Sequence, residues 1–504
     1  MKTSLLKKIQ LFCFLVLLSA VINPLAQAQS PQGEILYDSP SFKVLRIWGT
    51  HAERGYAYGF IMGSQINTMM NNYIKPGFGN YYSTARSLIL NETNFEFEEK
   101  HLVEAAAIIE GMNASGNNPN NLDITDLLVG NAMLDIQGLL GMKGGPGCST
   151  LISWGDATNG TSLNGHAVAT RHLDWSSNSV LLNNHLLVIH QPAEQDEQNW
   201  MMIGFAGMMG ALSGINNQTA VFQHMMDDYS GAGQQGKAYK PIWFAMREAV
   251  EALDYNQDGI NDAADLESVM NNSSNGFANA YIISCVADEA ADDDHTAMIA
   301  ELAPTAPTHV YRTNGFADSI PGDNLYCANY QIARNELLHF CSRYNSIRNH
   351  IGNGTMLGVE ENWTLMRDWS HQSNNIQLMQ FAPSQNHFRI AVKKTSPAYL
   401  SDFVDFDLNE ILNETTGIET VQNFSTLRLY PNPASKTMIL EHKLQSIKPI
   451  ALKILNSSMT EMAFSYGIIS KNQIEINTDQ LIPGIYVLSI MVDEKVLLAK
   501  FVKL

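Results

Sequence analysis

The sequence is poor in positive charge, in cysteine and in long apolar runs, and each shortage excludes something. Among 504 residues there are 31 Lys and Arg against 50 Asp and Glu, a formal net charge of −19. Setting aside the three lysines of residues 1–28 and the nine basic and six acidic residues of 425–504 leaves 19 basic against 44 acidic residues, a net of −25 for the body. A surface for nucleic-acid phosphates needs clustered cations, so no nucleic-acid partner is expected. Beyond the N-terminus no segment is apolar enough to span a bilayer. There is no Ser nucleophile elbow and no Gly-rich phosphate loop, and the 14 His residues show no metal-site spacing.

Of the five cysteines, Cys13 lies in the apolar run Leu11–Ala20. That run follows Lys2, Lys7 and Lys8 and precedes the small-residue site Ala26-Gln27-Ala28, the pattern of a secretory signal peptide over 1–28. Cys13 lacks the preceding small residues of a lipoprotein signal. After export Cys148, Cys285, Cys327 and Cys341 remain. An oxidising compartment makes a disulfide possible, and Cys327–Cys341 is the closest pair in sequence. A thiol kept unpaired there needs a reason, and Cys148 has the best one.

Residues 36–48 read as a strand, 98–112 and 123–140 as helices with Asp123 or Thr125 as N-cap. Short β-like runs broken by Gly, Asn and Asp turns follow Ser149. Helical patterns return at 240–253, 331–341 and 360–370, and strands at 279–285, 297–302 and 376–393, which gives an α+β domain over about 30–415. Residues 418–504 alternate as a small all-β unit. Its Leu427-Arg428-Leu429-Tyr430-Pro431-Asn432-Pro433-Ala434, Pro483-Gly484-Ile485-Tyr486-Val487-Leu488 and final Lys500-Phe501-Val502-Lys503-Leu504 resemble the C-terminal sorting domain of type IX secretion substrates. The resemblance implies passage through the periplasm of a Gram-negative bacterium to the medium or cell surface, with the type IX machinery as partner.

The central constellation is Gly144-Gly145-Pro146-Gly147-Cys148-Ser149-Thr150. Gly147 admits backbone conformations closed to other residues, as suits attack by the Cys148 side chain on the carbonyl just before it. Cleavage there frees an α-amine with a reference pKa of about 7.7–8.0, able to take the thiol proton, so that one residue serves as nucleophile and base. A hairpin through Asn159-Gly160 and Asn164-Gly165 would bring Arg171 and Asp174 beside the new N-terminus. A guanidinium favours thiolate, and a carboxylate positions an amine.

Gly147-Cys148-Ser149-Thr150, Arg171-His172-Leu173-Asp174-Trp175 and Glu53-Arg54-Gly55-Tyr56-Ala57-Tyr58-Gly59 resemble the acyl-coenzyme A:6-aminopenicillanate (isopenicillin N) acyltransferase-like family of N-terminal-nucleophile hydrolases, relatives of choloylglycine hydrolases and penicillin V acylases. The resemblance spans about 40–410, including Gly204–Gly207 and Leu212–Asn216. It implies a four-layer αββα sandwich; with the signal and the tail read above, the expected order is signal peptide 1–28, propeptide or small fragment 29–147, catalytic domain 148–417 and a small β-sandwich sorting domain 425–504. It implies self-cleavage between Gly147 and Cys148 and catalysis by Cys148, Arg171 and Asp174. The family's oxyanion Asn maps to Asn279, although Ala280 separates it from Tyr281 and Cys285 stands where Asp is usual. A one-residue slip would turn Asn279 to the other face unless a bulge corrects it. Asn216 is a weaker second contact.

Asp254, Asn256, Asp258, Ile260 (through its carbonyl), Asp262 and Asp265 fall at the spacing of an EF-hand or dockerin-type Ca²⁺ loop, with Gly259 at its sixth position. This predicts a structural ion and no cofactor for catalysis. His166, His172 and His224 lie near the catalytic segments, but a free amine makes a His base unnecessary.

The expected activity is hydrolysis of a linear, non-peptide C–N amide through an acyl-thioester on Cys148. Acyl transfer and phospholipase B-like lipid deacylation are the alternatives among enzymes. A non-catalytic, Ca²⁺-stabilised surface binding protein is the alternative outside them.

Overall fold

The computed structural model describes residues 30–142, 147–225, 232–288, 290, 294–317, 319–334 and 341–413, then 427–430, 432, 434–442, 452–456, 461–470, 473–482, 484–492 and 495–503. The signal peptide, Gly144–Pro146, and Pro431, Pro433, Pro483 and Leu504 of the tail motifs lie outside the described residues. The chain divides into two units, Met1–Glu414 and Thr415–Leu504.

The first unit is mixed α and β. Its strands are β1 (Gly33–Asp38), β2 (Lys43–Gly49), β3 (Gly147–Ser153), β4 (Val168–Asp174), β5 (His185–Pro192), β6 (Trp200–Phe205), β7 (Ser213–Ile215) and β8 (Thr219–Met225). Then come β9 (Tyr281–Ala287), β10 (Ala297–Leu302), β11 (His309–Arg312), β12 (Asn324–Cys327), β13 (Asn375–Ala382), β14 (His387–Val392) and β15 (Phe403–Asp407). Nine of them form a sheet in the order β1-β2-β5-β6-β7-β8-β9-β10-β11, and six another in the order β12-β3-β4-β13-β14-β15.

Apolar side chains from the two sheets meet in one core, with Leu187, Met201, Phe222 and Ile282 on one side and Ile152, Met379 and Ile390 on the other. The other face of the nine-stranded sheet packs on helices α1 (His51–Met69), α2 (Glu99–Ala114), α3 (Ile124–Asn131), α4 (Met133–Leu139), α5 (Ile242–Glu251) and α6 (Ala263–Asn272). The other face of the six-stranded sheet, through Leu151 and Tyr326, packs on Ile347 of α7 (Ser342–His350) and Met366 of α8 (Val359–Trp369). The inner strands of each sheet are therefore covered on both faces, while the edge strands β1 and β15 stay largely exposed.

Local signals account for many boundaries. Asp123 caps α3 in a reciprocal capping box with Asp126, and Thr50 caps α1 in the same way with Glu53. The pattern over 123–140 breaks in two at Ala132, whose φ of −110° and ψ of 21° leave the helical region. The motif around Gly55 and Gly59 serves helix packing: a Cβ at Gly59 would stand 1.9 Å from the Ile108 carbonyl oxygen of α2. Of the predicted helix over 331–341, residues 335–340 lie outside the described residues; 331–334 form a bridge and a turn, and α7 begins at Ser342.

Among its described residues the second unit holds eight strands: β16 (Leu427–Tyr430), β17 (Thr437–His442), β18 (Leu452–Asn456), β19 (Glu461–Met462), β20 (Ser465–Ser470), β21 (Gln473–Asn477), β22 (Gly484–Val492) and β23 (Lys495–Lys503). They form two four-stranded sheets, β16-β17-β21-β20 and β19-β18-β22-β23, around a core of Met438, Leu440, Ile454, Ile476, Leu488 and Phe501.

Candidate active site

Strand alternation decides which side chains meet around Cys148. Cys148, Thr150 and Ile152 share the face toward the nine-stranded sheet. Ile152 enters the inter-sheet core, and Thr150 Oγ1 lies 2.9 Å from His224 Nε2 on β8. Ser149 points the other way, its Oγ 2.6 Å from that of Ser370. The expected hairpin forms, pairing Gly147 with Asp174, Cys148 with Leu173 and Thr150 with Arg171. Arg171 is thus one diagonal step from Cys148. Its Nη2 lies 3.2 Å from Sγ and donates to the Gln223 carbonyl at 2.9 Å.

Asp174, opposite Gly147, accepts from Arg343 Nη1 at 2.5 Å and from Asn375 Nδ2 at 3.1 Å. The backbone N–H of Cys148 donates to Asn329 Oδ1 at 3.1 Å, and Arg343 Nη2 donates to the same oxygen. Asn329 is fixed in turn by donating from Nδ2 to the Met225 carbonyl at 2.6 Å. Arg343 therefore joins the Asp174 carboxyl to the amide acceptor of Cys148 N. Sequence reasoning missed both Asn329 and Arg343. They come from distant segments, with 181 positions between Cys148 and Asn329, and no local spacing announces them.

Every group here is buried. Burial pushes the Cys148 thiol up to about 11, against the pull of Arg171 toward thiolate. Burial also raises the Asp174 carboxyl, opposed mainly by Arg343. The histidines bind elsewhere. His172 Nε2 faces the Met366 carbonyl at 2.9 Å and burial takes its pKa down to about 3; His166 pairs with Asp288 at 3.0 Å. Burial likewise holds His224 well below its usual range, neutral against Thr150.

The other predicted residues make the following contacts. Gly147 is extended at the head of β3, and a Cβ there would meet Asp174 at an ordinary 3.5 Å, so no glycine-only backbone is present. Asn279 stands just before β9, donating from Nδ2 to the Leu134 carbonyl at 3.1 Å and accepting the Ala280 N–H at 2.9 Å, bonds that run to α4 and its own chain. Asn216 is a turn residue that accepts from the N–H groups of Gln218 and Thr219 and donates to Asn261. Cys285, Cys327 and Cys341 are buried thiols with no disulfide. The Cys327–Cys341 pairing is therefore not formed: Cys327 faces His224, and Cys341 accepts from Arg343 Nε at 3.1 Å.

The 254–265 loop folds around its own carboxylates. Asp254 accepts from the N–H groups of Asp258 and Gly259, and Asp258 from that of Ile260. Gly259 takes a φ of +103°, which its missing Cβ allows. Asp265 accepts from Tyr255, Asn256 and Asp262, and Asp262 caps α6. The accepting atoms are all carboxylate oxygens, the ligand type a hard cation takes. Among the described residues, three or more ligand atoms converge within 4.8 Å only at His51–Glu197–Glu251 and Glu98–His101–Glu248. Arg54 and Lys100 already pair with the first group and Lys240 with the second.

Residues 428–504 match the family described as the secretion system C-terminal sorting domain. The tail places the protein among type IX secretion substrates, outside the cell or at its surface. Among the described residues no helix is long and apolar enough to cross a membrane. The chain is also similar to the protein named "Protein dcd1B" of Dictyostelium discoideum, 24% identical over 227 residues, which cover 42% of this chain and 43% of that relative. It thus spans less than half of that relative's length.

Proposed function

We propose that this protein is a secreted cysteine amidohydrolase of the N-terminal-nucleophile type, activated by cleavage before Cys148. The observation that carries the reading is the pairing of a guanidinium on the Cys148 sulfur with a dedicated acceptor on its backbone nitrogen. The first assists a nucleophile, and the second would hold the α-amine that cleavage creates. The layered order of helices, sheet, sheet and helices supports the αββα sandwich of such enzymes.

In activation, Cys148 Sγ attacks the Gly147 carbonyl carbon and the proton passes to the departing Cys148 nitrogen. The C–N bond breaks to leave a thioester and a free amine, and water then hydrolyses the thioester, releasing the Gly147 carboxylate. In turnover the amine takes the thiol proton, sulfur attacks the substrate amide, and the proton goes to the leaving amine. Water finishes the cycle by cleaving the acyl-thioester. Arg171 stabilises the thiolate, while Asn329, with Arg343 and Asp174 behind it, orients the amine. A structural Ca²⁺ on Asp254, Asn256, Asp258, Ile260, Asp262 and Asp265 belongs to the same proposal.

N-terminal sequencing of the secreted protein tests it. The large fragment should begin Cys-Ser-Thr-Leu-Ile-Ser-Trp, and Cys148→Ala should stay uncleaved and inactive on amides. An active protein with the Gly147–Cys148 bond intact would overturn the mechanism.

A further inference from the structure

The two groups of converging ligand atoms differ in what their neighbours leave unsatisfied. In the first, both ring nitrogens of His51 are engaged, Nδ1 with Glu104 at 2.9 Å and Nε2 with Glu197 at 2.8 Å. Arg54, Lys100 and Arg247 supply the charge its carboxylates need. In the second, formed by Glu98, His101 and Glu248, the pairing is incomplete. His101 is only 1% exposed, yet its Nε2 has no hydrogen-bond partner among the described residues. Glu248 is 3% exposed, and its Oε1 accepts from no N–H or hydroxyl among them. A buried polar atom without a partner has given up its hydration for nothing in return, so folded proteins rarely keep one without a use.

Local structure fixes the three side chains. Glu98 is the N-cap residue of α2 and His101 lies in its first turn, a spacing that puts both on one side of the helix start. The His101 ring packs on that of Phe244 with centroids 4.6 Å apart, and Glu248 follows Phe244 by one turn of α5, on the same face. A bridge between Phe95 and Tyr239 brings the approach to α2 beside the approach to α5. Lys240 Nζ thereby reaches Glu98 Oε1 at 3.2 Å and Glu248 Oε2 at 2.5 Å. The Glu98 and Glu248 carboxyls also share a hydrogen bond with each other. Two carboxylates, one shared proton and one ammonium sum to zero charge, and a single divalent ion carries the same positive charge as that proton and ammonium together.

We propose that Glu98, His101 and Glu248 form a binding site for a divalent transition-metal ion of the zinc class, which takes the place of the shared proton and of the Lys240 ammonium. One imidazole and two carboxylates are ligands that zinc accepts, whereas Ca²⁺ takes oxygen alone. The Lys240 side chain is partly exposed and turns outward as the ion enters. Glu98 and His101 precede Cys148 in the chain and Glu248 follows it, so the ion ties α2 to α5 across that position. This site is independent of the amidase reading, since it needs neither the cut before Cys148 nor any turnover.

The test strips the purified secreted protein with a chelator and titrates it with Zn²⁺ by calorimetry, with the melting temperature read alongside. Zn²⁺ should bind and raise the melting temperature. His101→Gln and Glu248→Gln should each weaken that binding at least about tenfold. Glu98→Gln, at the partly exposed end of the group, should do the same and covers the case in which a buried substitution fails to fold. Lys240→Met removes the competing ammonium, so it should bind Zn²⁺ more tightly than wild type and melt lower without it. Excess Ca²⁺ should leave the zinc isotherm unchanged. Absence of Zn²⁺ binding, or binding that neither His101→Gln nor Glu98→Gln weakens, would overturn the site. Displacement of Zn²⁺ by Ca²⁺ would overturn the assignment to the zinc class.

Discussion

Arg171 Nη2 lies 3.2 Å from Cys148 Sγ although their positions are not directly opposite in the hairpin. The contact is diagonal, within reach of a long side chain across neighbouring strands, and the Gln223 carbonyl on β8 holds the guanidinium from the other sheet at 2.9 Å. The sulfur, buried enough to be pushed up to about 11 in the uncut chain, has this cation as the chief influence lowering its pKa. Arg171→Gln should therefore slow both self-cleavage and turnover and move the alkaline limb of the activity profile to higher pH. Arg171→Lys should restore part of the shift, keeping the charge but with a differently placed, more strongly hydrated ammonium in place of the Nη2 that reaches both sulfur and carbonyl. An unchanged pH profile in Arg171→Gln would remove the thiolate role.

Asn329→Ala deletes the acceptor on the Cys148 nitrogen. The amine loses the acceptor that directs it, and turnover should fall by about 10²-fold or more. Arg343→Met should do the same through Asn329 and Asp174 while also taking the paired guanidinium from a buried carboxyl, which keeps only its bond from Asn375 among those described, so its melting temperature should fall as well. Kinetics and thermal unfolding of the two variants, compared, separate positioning from stability.

Asp135 on α4 is fully buried, and burial pushes its carboxyl up to about 7 although Tyr281 Oη donates to it at 2.9 Å. The folded state therefore holds a proton that the unfolded state has released. Stability from this group is fully present below the ordinary carboxylate pKa of about 3.9 and declines as pH rises through about 7. Asp135→Asn should flatten that decline between pH 4 and 7, read as melting temperature against pH. A slope identical to wild type would assign the decline to other groups.

The 254–265 loop gives a metal prediction. Asp254→Ala with Asp258→Ala should lower the melting temperature measured in Ca²⁺ and abolish its response to chelator, because an ion bound only by the folded state stabilises it by mass action. If wild type melts at one temperature with and without chelator, the loop is held by its own amide–carboxylate bonds and needs no ion.

Deleting residues 425–504 should leave the protein in the periplasm, since these residues contain the matched sorting domain. Fractionation of cells expressing the truncated chain reads this directly, and undiminished appearance in the medium would contradict it.

Much of this molecule is written locally. The hairpin that sets Arg171 and Asp174 against Cys148 follows from two Asn-Gly turns and strand alternation. The N-caps at Thr50 and Asp123 follow from side chains able to accept amide hydrogens nearby. The sorting tail follows from motifs a few residues long. What only the tertiary structure decided is the other half of the site: Asn329 beneath the Cys148 nitrogen, Arg343 bridging it to Asp174, and three further cysteines left as thiols. Those positions depend on how two sheets and their helices stack. Stacking is set by the burial of many apolar groups at once, which is non-directional and leaves no spacing in the chain from which a partner so far away in sequence can be read.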